Sequence, residues 1–126
     1  MRAIDLVIRQ LDAVHGLYHA IADDLSEREW TARRWASSNR LGFTVWHLPR
    51  SQDWAIHTVL RGAPEVLRED QWAGRGRLQT PGIGAGFTRE DADALAHGVA
   101  RTDVVADADA VHQACVAWLR TLNDET

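Results

Sequence analysis

The chain has 126 residues, enough for one domain with a core that needs no covalent staple. Its 45% hydrophobic and 25% charged residues are ordinary for a globular protein and exclude a disordered or fibrous class. A net charge of −4 with scattered basic residues speaks against nucleic acid as a partner, which needs an electropositive face.

From Ile4 to Leu25 the residues Ile4, Val7, Ile8, Leu11, Val14, Tyr18, Ile21, Ala22 and Leu25 recur at three- and four-residue steps, which predicts a long helix with a core-facing stripe. Ser26-Glu27-Arg28-Glu29 has the form of a capping box and predicts a fresh helical turn, with Trp30 and Trp35 anchoring the connection after it. Ser37-Ser38-Asn39 is a polar break. A second long helix is predicted over Leu41 to Arg61, stopped by Gly62 and Pro64, with a kink or a late start near Pro49. Between Gly62 and Thr88 the periodicity disappears and glycines gather. Trp72, Leu78, Ile83 and Phe87 mark this stretch as a long ordered crossover loop rather than a linker. Thr88 opens a short helix ending near His97-Gly98, and Asp107 or Asp109 is expected to cap the last helix, whose inward stripe includes Val111, Cys115, Trp118, Leu119 and Leu122. Cys115 is the only cysteine, so no internal disulfide or thiolate cage forms. No apolar run reaches the roughly 18 residues of a membrane span. Asp5 interrupts what would be the apolar region of an export signal, and a cytoplasmic protein away from the membrane is expected.

Six histidines are the main source of candidate chemistry. His15 and His19, four residues apart, share one helix face at a spacing that lets both reach one metal ion; they also fit as boundary residues with one nitrogen in water. His47 lies among Phe43, Trp46 and Trp54 facing the bundle, where its nitrogens need partners: a carbonyl, Asp53 or a metal. His57 is turned away from that face and is expected at the surface. His97 reads as a helix-terminus residue and His112 as an ordinary position in the last helix. The Gly74 to Gly86 stretch lacks the strand and the Gly-Lys-Ser/Thr of a phosphate loop, and no carboxylate pair or serine stands in a catalytic context. The tryptophans at 30, 35, 46 and 54 suit either a ligand pocket or plain core.

The run Leu41-Gly42-Phe43-Thr44-Val45-Trp46-His47-Leu48-Pro49-Arg50-Ser51-Gln52-Asp53-Trp54 resembles the second helix of DinB/YfiT-like proteins, with its apolar-Trp-His-Leu-x-Arg pattern and following acidic residue. Leu25 to Trp30, Leu60-Arg61-Gly62, the Gly82-Ile83-Gly84 loop and the helix bearing Trp118-Leu119 match in the same order. The resemblance implies an all-α, up-down helical bundle and a divalent metal, nickel or zinc, held by three histidines. One of these corresponds to His47, and the other two normally form a His-x-x-x-His pair on a C-terminal helix. That pair has no counterpart before Thr126, so the expected fold is three long helices and a short one, with the fourth bundle helix missing or supplied by a partner. His19 and His15 are then the candidates to complete a site with His47.

Two functions follow from this reading. One is a metal-dependent protein of the hydrolase or thiol-dependent transferase type with an incomplete site. The other is a non-catalytic helical module that binds a small apolar ligand or pairs with itself. A homodimer completing the core is the expected assembly; substrate and thiol cofactor are not legible.

Overall fold

The computed structural model describes residues 1–123 and 125, and among them every regular element is helical. Helix α1 spans Ala3–Ala22, α2 Glu27–Trp30, α3 Leu41–Asp53, α4 Arg89–Gly98 and α5 Arg101–Leu119. The helix begun by α3 continues as wider π-helical turns over Trp54–Arg61 and stops at Gly62 in the left-handed conformation. Ser26 and Thr88 form capping boxes with Glu29 and Asp91, so both local start signals operate. No helix among the described residues is long and apolar enough to cross a membrane.

The helices pack around α5. Helix α1 runs antiparallel to it: Arg101 Nη1 donates to the Asp23 carbonyl at one end, and Ile8 packs with Val116 and Leu119 at the other. Helix α3 runs alongside α5 in the same direction, with Arg50 against Asp107 and, further along, Ile56 beside Val111 and Cys115. Two consecutive long helices can point the same way only if the chain between them travels back, and the glycine-rich loop does this along α3. Asp53 accepts from the amides of Val66 and Leu67, Trp46 Nε1 donates to the Leu78 carbonyl, and the His47 ring meets the Ile83 carbonyl. Trp72 and Leu78 are buried as the loop's anchors. Gly84 has φ +87°, and a Cβ there would lie 2.7 Å from the Phe43 ring, so only glycine lets the loop lie this close.

Helix α3 starts at Leu41 and runs through Pro49; the late start anticipated from the proline does not occur. Pro49 lacks an N–H, which leaves the Val45 carbonyl one turn earlier without its helical donor. The Tyr18 hydroxyl of α1 donates to that carbonyl at 3.1 Å. Tyr18→Phe should therefore cost about 1–3 kcal/mol by leaving a buried acceptor unmet, read as a lower urea midpoint at unchanged slope; a midpoint equal to the parent's would show that water satisfies Val45 instead.

The stripe read on α1 divides in two. Ile8 and Ala22 are buried, whereas Val7, Val14 and Ile21 are exposed together with Leu17. Helix α1 is therefore apolar over a wider arc than α5 covers. Asp107 and Asp109 do not cap the last helix. It begins at Arg101 after Ala100, so both lie inside it, where their carboxylates meet Arg50 of α3 and the α1 histidines.

Candidate metal centre

Two polar clusters are built on these helices. The first is buried. Residues 46, 50, 53 and 57 fall on one face at three- and four-residue steps, and Trp46, Arg50, Asp53 and His57 are each at most 1% exposed. Arg50 Nη2 donates to Asp53 at 2.8 Å and to Asp107 at 2.6 Å, and its Nε donates to Asp107 at 3.0 Å. His57 Nδ1 donates to Asp53 at 2.7 Å. His57 is thus in the core and not at the surface as its angle from His47 suggested; the buried face is the one Asp53 defines. One guanidinium serves two buried carboxylates here and reaches a third, Glu65, at 3.5 Å, and burial pushes the Asp107 carboxyl up to about 6 against the pull of Arg50. Asp53 also holds the loop amides, so this cluster is a tie between α3, α5 and the crossover loop.

The second cluster lies in the seam between α1 and α5. The antiparallel pairing sets Asp12, His15, His19 and Asp23 of α1 opposite Asp109 and His112 of α5, and every histidine in the seam meets a carboxylate. His112 Nε2 meets Asp12 at 2.8 Å, and the rings of His112 and His15 stack with centroids 4.2 Å apart. His15 Nε2 and His19 Nε2 both reach Asp109 Oδ1, at 2.9 and 2.5 Å. His19 Nδ1 faces the Asp23 carboxylate at 2.9 Å. Hydrogen bonds to Asp109, then to Asp23, raise the His19 pKa above the usual histidine value, while burial and the stacked His112 lower that of His15.

His15, His19 and Asp109 each offer one ligand atom, and these lie within 4.8 Å of one another. Tetrahedral zinc with bonds near 2.0–2.2 Å needs its ligand atoms roughly 3.3–3.6 Å apart, so small side-chain rotations about a cation suffice. Two imidazoles and a carboxylate suit zinc or nickel. Asp23 holds the other nitrogen of His19 as a carboxylate behind a metal-bound histidine does. The donor set fits the metal. The side chains of His15, His19 and Asp109 are 22%, 30% and 42% exposed, so the site opens to solvent.

The structure brings His15 and His19 together but does not bring His47 to them. His47 Nδ1 faces the Ile83 carbonyl and its Nε2 lies 3.4 Å from Ser51 Oγ, and among the described residues it belongs to no group of metal-ligating side chains. Asp109 was missed by the sequence reading because its value depends on which helix lies across from it. Cys115 is buried and its thiol is pushed up to about 11 by burial, which keeps it out of thiolate chemistry.

Helical packing around α5 and an open seam of histidines and carboxylates define an all-α protein with a candidate metal centre. A family model described as the DinB superfamily matches residues 10–126, and the chain belongs to that superfamily. Neither the curated proteins nor the solved structures contain a significant match.

Proposed function

We propose that this DinB-superfamily protein binds one divalent cation, zinc or nickel, through His15, His19 and Asp109, and that His47 serves to hold the crossover loop. The observation that carries the reading is the convergence of both imidazole Nε2 atoms on one Asp109 oxygen. A cation bound there would supply Lewis acidity toward a carbonyl or phosphoryl oxygen, and metal-assisted hydrolysis is the reaction class that suits it. The chain's own contributions are plain. Asp23 orients His19, Asp109 supplies the anionic ligand, and the partial exposure of all three leaves room for a substrate oxygen.

Zinc titration of protein prepared without an affinity tag tests this. His19→Ala and Asp109→Ala should each weaken zinc by at least about a hundredfold, Asp23→Asn by about 10–100-fold, and His47→Ala hardly at all. Affinity should fall as pH drops, because a proton on His19 must leave before the metal binds. Zinc affinity that survives His19→Ala but disappears in His47→Ala would overturn the assignment.

A second reading, a module that pairs with another copy, is favoured by the exposed stripe of Val7, Val14, Leu17 and Ile21, at 41%, 59%, 65% and 63% exposure. Sedimentation should then give twice the monomer mass, reverting to monomer in Leu17→Glu/Ile21→Glu. A monomer at high micromolar concentration would end it.

A further inference from the structure

His15 belongs to two features at once. On one side it faces Asp109; on the other it forms part of the wall of a recess of about 240 Å³ between α1 and α3. Pro49 and Ala108, both buried, lie at its floor, and the exposed Val14, Leu17 and Leu48 form its rim. Apart from His15 its lining carries no ionisable group but the Tyr18 phenol, which already donates to Val45. A cavity of about 150 Å³ lined by hydrocarbon holds a benzene ring, so this recess has room for one ring and a few further atoms, and less than the range usual for larger ligands. A group seated there starts beside the imidazole proposed as a metal ligand, so a ligand's head and tail meet different chemistry within one molecule's length.

We propose that the site takes a small carboxylate carrying a single aromatic ring, with the ring in the recess under Leu48 and the carboxylate on the cation held by His15, His19 and Asp109. This deepens the metal reading and rests on it. The carboxylate end is an oxygen-donor anion, suited to a cation that has only three protein ligands. The ring end replaces water on an apolar surface that the fold otherwise leaves wet.

The test uses zinc-loaded full-length protein titrated with benzoate and, as the ringless control, acetate, followed by amide chemical shifts. Benzoate should shift the amides of Leu17, Leu48 and Ala108 saturably and bind about 10–100-fold tighter than acetate. Leu48→Arg, a change at an exposed rim position, should abolish that preference while zinc affinity stays at the parent value; Val14→Asn serves as an independent rim variant. Zinc binding with equal affinities for benzoate and acetate overturns this inference and leaves the metal assignment standing. Equal benzoate binding with and without zinc overturns the link between recess and cation. Absence of zinc binding overturns the metal assignment and this inference with it. A dimer whose Leu17 and Leu48 amides ignore benzoate shows that a second copy fills the recess, which also overturns it.

Discussion

Arg50→Ala is expected to cost about 3–5 kcal/mol, a large share of the stability of a domain this size. The guanidinium is wholly buried and is shared by Asp53 and Asp107, themselves wholly buried. Removing it leaves two carboxylates in a low-dielectric interior without the cation that both are bonded to. Asp53 retains the amides of Val66 and Leu67 as donors, whereas Asp107 loses the cation it is bonded to and keeps only the more distant charge of Arg68. The double variant Arg50→Ala/Asp107→Ala should therefore be more stable than Arg50→Ala alone, a coupling that a double-mutant cycle in urea reads directly. The sign with pH follows from Asp107. Burial pushes its carboxyl up to about 6 in the folded chain, above the ordinary carboxylate value near 3.8, so the folded state holds that proton more tightly. The contribution to stability is complete below the lower value and is lost as pH rises through the upper one. Arg50→Ala should accordingly be least damaging at acidic pH. A deficit that is constant from pH 4 to 7, or below about 1 kcal/mol throughout, would mean that water reaches the network and neutralises the argument from burial.

Trp46→Ala is the second large effect, again about 3–5 kcal/mol. The indole is fully buried, packs near Phe43 and Phe87, and donates to the Leu78 carbonyl at 3.1 Å. Truncation opens a cavity under the crossover loop and leaves Leu78 with an unmet carbonyl. Trp46→Phe keeps an aromatic ring in the space and loses the donor and part of the indole, so it should cost clearly less than Trp46→Ala. Because Trp46 is one of the points that tie the loop to α3, amide exchange over residues 76–86 should accelerate more than exchange in α5. Uniform acceleration through the whole chain would show that the loop has no separate dependence on Trp46.

Much of the fold is legible from local pattern. The capping boxes at Ser26 and Thr88, the stop at Gly62 and the apolar anchors of the glycine-rich loop all act over a few residues, and each recurs in the structure. Periodicity misleads where a helix is apolar over more than one face. Val14 and Ile21 fit the α1 stripe by spacing, yet they are exposed because nothing among the described residues covers that side. His57 was assigned to the surface by its angle from His47, whereas the buried face runs through Arg50 and Asp53.

The all-helical class, the superfamily signature around Trp46 and His47, and the His15/His19 pair as neighbours on one helix face can be read from the chain alone, because these depend on steps of three and four along a single helix. That Asp109 stands across from that pair, that His47 turns to the Ile83 carbonyl, and that Asp107 is buried on Arg50 emerges with the packed fold. Each of those outcomes joins residues dozens of positions apart. They depend on the antiparallel register of α1 against α5 and on the return path of the loop along α3, which arise from packing of the whole core and leave no periodic trace in the chain.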